Sequence, residues 1–208
     1  VICSKGLEPG THMLMSDVVY DVIPDYGNKI LILSGPSFAR EVIDQKKTKL
    51  AIAPVTPKYE TEVTYEWMKI QNTPLAVLFR DIFSNDVIDV SITPDDRGIQ
   101  FYPAGKNVYA IGLGIAVGLE LGENFRSVLL YKSFRELSML GKNVFPESTP
   151  DSIYGFADFM LTCNSPTSRN FMFGVEVAYD NDKKGALSRI QGVSEGLNTI
   201  KSLKHYSE

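Results

Sequence analysis

One stretch organises the rest of the chain: Gln100-Phe-Tyr-Pro-Ala-Gly-Lys-Asn-Val-Tyr-Ala-Ile-Gly-Leu-Gly-Ile-Ala-Val-Gly118. Pro103 suits the first turn of a helix, where its missing N–H has no partner to lose. We therefore predict a helix that begins near Pro103 and holds Lys106, the only charge of the stretch, in its first turn. Small residues follow the lysine at four-residue spacing on one face, which suits close approach of another backbone: Ala110, Gly114 and Gly118.

The predicted position of Lys106 has a chemical consequence. A cation in the first turn faces the positive end of the helix macrodipole, which disfavours its charged form. That placement is expected to lower the pKa of the amine toward neutrality, as a general base requires. The alternative is structural, a lysine whose aliphatic stem lies along the helix start while its ammonium group stays in water.

Composition narrows the classes of protein. The chain has 208 residues, 44% of them hydrophobic, enough for one sizeable core or two smaller ones. Lysines and arginines number 21 against 25 acidic residues and are scattered, so no basic patch predicts nucleic-acid binding. No apolar run reaches membrane-spanning length, so no membrane insertion is expected. Cys3 and Cys163 match no metal-binding spacing, and we predict reduced thiols, no metal site and a cytoplasmic protein.

The first part of the chain has the pattern of a parallel α/β sheet. Apolar runs predict strands at the N-terminus and at 29–34, 49–53 and 89–93, with helices at 12–23 and, in two pieces, at 58–83. Gly35-Pro-Ser37 follows one of these strands, at the strand end where open α/β sheets bind ligands. Ser37 is a possible cap of the next helix. A turn that contacts no ligand is the alternative.

Beyond residue 94 the strand patterns stop and helix and loop patterns follow, so we predict a domain boundary between 1–94 and 95–208. Thr93-Pro-Asp-Asp96 is a turn that could cap the next segment. Further on, the apolar spacing predicts a helix from Phe125 to Leu140 that Gly141 ends. Its inward residues are expected to be Val128, Leu129, Leu130, Phe134, Leu137 and Leu140.

Two polar features of the second part are candidates for function. Asp158 is a lone charge among apolar neighbours. Ser168, Arg169 and Asn170 offer hydroxyl, guanidinium and amide donors at a predicted helix start, which suits a phosphate, although a polar cap is the alternative. By contrast, the glycines of 112–118 are similar to a dinucleotide-binding fingerprint but have one residue too many before the last glycine. They also lie inside a predicted helix, so we do not assign them to a cofactor site.

Six motifs occur in a recognisable order: Ser4-Lys-Gly-Leu-Glu8, Gly35-Pro-Ser-Phe-Ala-Arg-Glu41, Lys106-Asn107, Asp158 with Leu161-Thr-Cys163, Ser168-Arg-Asn170 and Glu195-Gly196. In order and spacing they resemble the bacterial-type NAD(P)-dependent glycerol-3-phosphate dehydrogenases. The resemblance implies an α/β fold followed by mainly α. Residues 1–94 would be the C-terminal portion of a Rossmann-type parallel sheet domain that binds the dinucleotide. Residues 95–208 would be a helical substrate domain of the 6-phosphogluconate dehydrogenase-like type. The chain would then be a fragment without the glycine-rich loop and the last helices.

The resemblance also implies an activity, the interconversion of sn-glycerol 3-phosphate and dihydroxyacetone phosphate with NAD or NADP, which supplies phospholipid synthesis. Lys106 would be the general acid/base, Lys5 a second active-site lysine that lowers its pKa, and Asp158 the residue that orients Lys106 and binds substrate hydroxyls. The other implied substrate contacts are Gly35, Ser37, Asn107, Thr162, Ser168, Arg169 and Asn170. The implied cofactor contacts are Lys5, Ala39, Arg169, Val193 and Glu195.

The chain also departs from the family pattern. Gln100-Phe-Tyr-Pro-Ala-Gly105 stands where Glu-Leu-Gly-Gly-Ala-Leu is usual, and Ala157 replaces a usual glycine. The segment 57–72 is longer than the family's helix there, and we have no functional account of it. The alternative hypothesis is therefore a non-catalytic, phosphate-binding remnant of the family. The resemblance further implies a homodimer.

Overall fold

The computed structural model describes residues 1–55, 74–180, 185 and 195–207. Within these residues the sheet has three strands in the order β1-β2-β3, namely β1 Leu31–Ser34, β2 Thr48–Pro54 and β3 Ile88–Ile92. The predicted strands at 29–34, 49–53 and 89–93 are thereby confirmed. The N-terminal run contributes a parallel bridge from Ile2 to Ile32.

The sheet is mixed, although the pattern predicted a parallel one. Strands β2 and β3 are parallel, whereas β1 and β2 are antiparallel. A parallel pair needs a crossover of a dozen or more residues, usually a helix that spans the sheet. The connection between β1 and β2 contains only a five-residue helix, α2 Ala39–Ile43, which is too short for that crossover.

Three described helices accompany the sheet: α1 Met15–Val22, α2 and α3 Pro74–Phe83. The helix predicted at 12–23 begins late because His12 adopts a left-handed φ of 62°, and a 3₁₀ helix, Pro24–Lys29, follows it. The prediction that Ser37 caps the next helix is wrong, since the N-cap of α2 is Phe38 and no side chain caps it. Of the two pieces predicted at 58–83, the second is α3 and the first lies outside the described residues.

Alternate residues of the strands enter two different cores. Leu31, Leu50 and Ile52 pack with Ala76 of α3 and Val90 of β3. The strand residues that alternate with these, Ile32, Ala51 and Ala53, point to the opposite face of the sheet. There they join a larger core that also contains Ile30 and, from the helical part of the chain, Ile99 and Phe101. This second core fixes the helical part against the sheet.

The second part of the chain is helical and is built around α4 Gly98–Gly118. Around α4 pack α5 Glu123–Val144, α6 Asp158–Asn164, α7 Arg169–Asp180 and α8 Glu195–Ser207, with a π-helix, Ile153–Ala157, directly before α6. The domain boundary after residue 94 stays a prediction. Across the described ranges, no helix is both long and apolar enough to cross a membrane.

The predicted start of α4 is wrong. The helix begins at Gly98, Pro103 lies inside it, and Lys106 is in its third turn. The reason is the preceding turn, where the carboxylate of Asp95 accepts a hydrogen bond from the backbone N of Gly98 at 2.7 Å and so caps the helix upstream of the proline. The predicted role of this turn as a cap is confirmed.

The predicted close approach of another backbone to α4 is confirmed, and the partner is α7. A β-carbon on Gly114 would lie 1.9 Å from the carbonyl oxygen of Phe171. From the other side, a β-carbon on Gly174 would lie 2.0 Å from the carbonyl oxygen of Ile111. Helix axes can come this close only where both faces lack side chains.

The helix predicted to end at Gly141 continues to Val144 as α5. A β-carbon on Gly141 would lie 2.5 Å from Cε1 of Tyr102, so this glycine makes room for a ring and does not end the helix. Leu137 is fully buried, as predicted. Val128 is 54% exposed, and its predicted inward position is wrong. The other predicted inward residues pack against the core in part: Leu129, Leu130, Phe134 and Leu140.

Candidate active site

The side chain of Lys106 is almost fully buried, and its amine forms an ion pair with Oδ1 of Asp158. The other carboxylate oxygen, Oδ2, accepts a hydrogen bond from Nζ of Lys5 at 2.9 Å. Lys5 also donates to the carbonyl oxygen of Gly35 at 3.2 Å. Four residues that lie far apart in sequence thus form one charged cluster, and we call Lys5, Gly35, Lys106 and Asp158 the lysine cluster.

Burial lowers the pKa of Lys106 from 10.5 to about 8. Loss of hydration is the largest cause; the charge of Asp158 opposes it by raising the pKa, and the charge of Lys5 lowers the pKa further. The predicted direction and the predicted contribution of Lys5 are confirmed. The predicted cause is wrong, because Lys106 is two turns away from the helix start. The alternative of an ammonium group in water is also wrong, since only 6% of the side chain is exposed.

Asp158 is held by the π-helix that leads into α6. Ser152 caps this π-helix by accepting a hydrogen bond from the backbone N of Gly155 at 3.0 Å. Ala157 already has helical dihedral angles, so Asp158 is not the cap of α6. Its carboxylate is 1% exposed and faces the two lysines. Single π-helical turns occur often at functional sites, where they redirect a side chain.

A second polar group of residues adjoins the lysine cluster through Asn107, the neighbour of Lys106 on α4. The amide Nδ2 of Asn107 donates to Oε2 of Glu195 at 3.1 Å. The guanidinium group of Arg169 lies 3.8 Å from Oε1 of the same carboxylate. Asn170 accepts a hydrogen bond from the backbone N of Gly196 at 3.0 Å. The starts of α7 and α8 therefore meet beside the buried lysine.

Gly196 explains why α8 can lie so close to this point. A β-carbon on Gly196 would lie 2.5 Å from the carbonyl oxygen of Asn107. Thr162 is buried on α6, one turn after Asp158. Ser168 is buried and caps α7, since its Oγ accepts a hydrogen bond from the backbone N of Phe171 at 3.3 Å. Both predicted residues therefore belong to elements that form the site.

The remaining predicted residues lie elsewhere. Ser37 lines a cavity of about 320 Å³ between α2 and α6, whose lining includes Phe38, Lys49 and Leu161. Ala39 is exposed at the start of α2. Val193 lies outside the described residues. The structure thus gathers the predicted site residues of the helical part, whereas Ser37 lines a separate cavity and Ala39 is exposed on α2.

The cysteines are free thiols: Cys3 is exposed and Cys163 is buried. The thiol of Cys163 lies 3.8 Å from the carbonyl oxygen of Lys106, and burial raises its pKa. A neutral buried thiol of this kind packs and does not react. In the part of the chain that the structure describes, no three His, Cys, Asp or Glu side chains are grouped as metal ligands would be.

Two residues behind the site were not predicted from the sequence to belong to it. The carboxylate of Asp95 and the phenol of Tyr154 share a buried hydrogen bond of 2.8 Å. Asp95 was expected only to cap a helix. Tyr154 lies in an apolar run, and nothing in its sequence neighbourhood distinguishes it from a core residue.

Comparison with known proteins identifies the family. The profile described as "NAD-dependent glycerol-3-phosphate dehydrogenase C-terminus" matches residues 95–208, and the profile of the N-terminus of the same family matches residues 1–59. A glycerol-3-phosphate dehydrogenase [NAD(P)+] of Novosphingobium aromaticivorans is 34% identical over 96% of this chain and 55% of its own length. The enzyme of that name from Staphylococcus aureus is 31% identical over 99% of this chain and 58% of its own.

A solved structure confirms the fold. The crystal structure of glycerol-3-phosphate dehydrogenase from Coxiella burnetii matches with a TM-score of 0.79 and 26% identity, over 99% of this chain and 57% of that one. The predicted fold class, an α/β part followed by a helical part, is thereby confirmed. The chain spans 55% and 58% of the lengths of the two curated relatives. Because one family profile covers more than half of the chain, the chain belongs to the NAD-dependent glycerol-3-phosphate dehydrogenase family.

Proposed function

We propose that the full-length protein interconverts sn-glycerol 3-phosphate and dihydroxyacetone phosphate with NAD or NADP. The observation that carries this proposal is the lysine cluster, a buried amine with a lowered pKa held by one carboxylate beside a second lysine. Oxidation of a secondary alcohol needs a group that accepts the hydroxyl proton while hydride leaves the same carbon. A lysine with a pKa of about 8 is matched to that task near neutral pH.

In this proposal Lys106 acts on the C2 hydroxyl. Its neutral amine accepts the hydroxyl proton as the C2–H bond breaks, the C2–O bond becomes a carbonyl, and the amine becomes an ammonium. In the reverse direction the ammonium returns its proton to the carbonyl oxygen of dihydroxyacetone phosphate. Asp158 holds the amine in place and stabilises the ammonium, and the fixed geometry supplies much of the rate acceleration.

The residues proposed for the substrate phosphate lie at the start of α7. Arg169 is more than half exposed, and its contact with Glu195 at 3.8 Å is a weak surface pair that an incoming phosphate can replace. Ser168 and Asn170 flank it at the helix N-terminus, where backbone N–H groups favour an anion. The remaining proposed substrate contacts are Lys5, Gly35, Ser37, Asn107, Asp158 and Thr162.

The residues next to the lysine cluster fit a nicotinamide cofactor. Glu195 contacts Asn107, the residue after Lys106, and Arg169 lies 3.8 Å from Glu195; both charged side chains are partly exposed, so they are open to a ligand. Bound NAD or NADP supplies the hydride acceptor or donor, and this chemistry is the cofactor's own. The residues proposed to contact it are Lys5, Ala39, Arg169, Val193 and Glu195. A role in phospholipid synthesis, a homodimeric state and a cytoplasmic location are parts of the same proposal.

The test is a spectrophotometric assay of the full-length protein with dihydroxyacetone phosphate and NADH or NADPH. We expect turnover in the parent and a loss of at least about a hundredfold in Lys106→Ala, the usual size of a general acid/base contribution. Lys132→Ala, which changes an exposed lysine of α5, is the matched control and should keep the parent rate. A folded parent without turnover with either cofactor would reject the proposal and favour the phosphate-binding remnant.

A further inference from the structure

Asp95 is a buried carboxylate that joins three separate segments of the chain. Its Oδ1 accepts a hydrogen bond from the backbone N of Gly98, at the start of α4, at 2.7 Å. Its Oδ2 accepts one from the backbone N of Thr149 at 2.6 Å and one from the hydroxyl of Tyr154 at 2.8 Å. Carboxylates that accept several such bonds are held tightly, since hydrogen bonds to a charged group are the strong ones.

The segments that Asp95 joins are the ones that carry the catalytic pair. Gly98 begins α4, and Lys106 lies two turns further along that helix. Tyr154 is in the π-helix, and Asp158 follows it by one turn as the first residue of α6. The hydrogen bond from Tyr154 to Asp95 therefore links the start of α4 to the π-helix that leads into α6.

We propose that Asp95 and Tyr154 are positioning residues that set the distance and angle between Lys106 and Asp158. The catalytic consequence rests on the proposed function, but the structural claim does not. Neither residue touches the lysine cluster in the described contacts, so both act through the helices that they anchor.

The packing around this hydrogen bond leaves little freedom. A β-carbon on Gly98 would lie 2.2 Å from Oδ2 of Asp95, and one on Gly155 would lie 2.1 Å from the carbonyl oxygen of Pro150. Burial and the nearby charge of Asp95 raise the pKa of Tyr154, so its hydroxyl remains a donor across the working range of pH. The hydroxyl of Tyr154 is thus a fixed donor to Asp95 in a tightly packed region.

The consequence can be measured on Lys106 itself. Tyr154→Phe keeps the buried ring and removes only the hydroxyl, so the burial that lowers the pKa of Lys106 is retained. Once the π-helix is released from Asp95, the carboxylate of Asp158 is held less firmly against the amine. Because the charge of Asp158 raises the pKa of Lys106, we expect that pKa to fall by about half a unit or more.

The matched control is Tyr102→Phe. Tyr102 is also a buried tyrosine, and its hydroxyl also contacts the loop before the π-helix, through Oγ of Ser148 at 2.7 Å. That bond does not reach the segment that carries Asp158. Both substitutions remove one buried hydroxyl and should lower the unfolding free energy by similar amounts, about 1 kcal/mol each, but only Tyr154→Phe should change the titration of Lys106.

The experiment follows the ε-methylene resonance of Lys106 by NMR in the full-length protein with ¹³C-labelled lysine, assigned with Lys106→Arg. A lowered midpoint in Tyr154→Phe, repeated in Asp95→Asn and absent in Tyr102→Phe, supports the positioning role. The positioning role is overturned if Lys106 has the same midpoint in the parent, Tyr154→Phe and Asp95→Asn. It is also overturned if Tyr102→Phe shifts the midpoint as much as Tyr154→Phe does. Asp95→Asn keeps an acceptor for Gly98 and decides the question if Tyr154→Phe does not fold.

Turnover separates this inference from the proposed function. In an active parent, Tyr154→Phe should lower kcat at least about threefold and leave the KM for NADH or NADPH unchanged. An inactive parent would reject the proposed function, yet the titration of Lys106 would still confirm or overturn the positioning role.

Discussion

At Lys106, loss of hydration and the neighbouring charges act on the same amine in opposite directions. Burial lowers its pKa, Asp158 raises it, Lys5 lowers it, and burial prevails. A charged amine without a carboxylate would be too costly to bury, and a carboxylate without the second lysine would hold the amine protonated. Burial is therefore what lowers the pKa toward 8, and the carboxylate that the two lysines share limits how far it falls.

The contribution of Lys5 can be isolated by pH. In the direction of glycerol 3-phosphate oxidation the neutral amine of Lys106 is the active form, so kcat/KM should rise with pH through about 8. Lys5→Met removes a charge that lowers this pKa, and the rising limb should move to higher pH whatever happens to the plateau. The measurement is the pH dependence of kcat/KM in the full-length protein, with Lys132→Met as control. A limb that stays in place or moves to lower pH would contradict the role given to Lys5.

Among the elements, α4 combines chemistry and packing in one helix. Its first half carries Lys106 and Asn107, and its second half lacks side chains where α7 crosses it. The unusual residues before the lysine also have a packing explanation. Tyr102 fills the space that Gly141 leaves, and a β-carbon on Gly105 would lie 2.5 Å from Cδ1 of Leu137. The departure from the family pattern thus fits α5 and does not disturb the continuity of α4.

Two glycines of α4 provide a matched test of this packing. A β-carbon on Gly114 would lie 1.9 Å from the carbonyl oxygen of Phe171, whereas one on Gly112, which is exposed, would meet nothing within 4 Å. Gly112→Ala should raise the unfolding free energy by about 0.5–1 kcal/mol, the helix propensity of alanine over glycine. Gly114→Ala gains the same propensity but must push two helices apart, and we expect a net loss of at least about 1–3 kcal/mol. Urea unfolding measures both, and stabilisation by both substitutions would refute the close approach.

At the scale of the whole molecule, local sequence patterns predict most helices and strands but few of the contacts between them. Apolar runs predict β1, β2 and β3, and small residues at four-residue spacing predict a close backbone neighbour of α4 without identifying it as α7. The start of α4 was misplaced because Pro103 suggested a first turn, while the buried carboxylate of Asp95 caps the helix earlier. The pairing of Lys5 with Asp158 spans 153 residues, and no local pattern encodes a contact of that range. Only the resemblance to the family, and not the periodicity of the sequence, predicts that these two residues belong to one site.

The buried amine also makes the stability of the whole molecule depend on pH. The pKa of Lys106 is about 8 in the folded protein and about 10.5 in the unfolded chain. Between these values the unfolded chain binds more protons, so the unfolding free energy rises with pH. Over the whole interval between the two pKa values, this gain in unfolding free energy amounts to about 3 kcal/mol. The test compares the parent with Lys106→Met, which keeps the ion pair of Lys5 and Asp158. In the difference between the two unfolding free energies, the pH dependence of all groups that both proteins share cancels. The stability of the parent relative to the variant should increase from pH 7 to pH 10 in urea unfolding. A flat difference would mean that Lys106 is hydrated in the folded protein, and a falling one would mean that Asp158 outweighs burial.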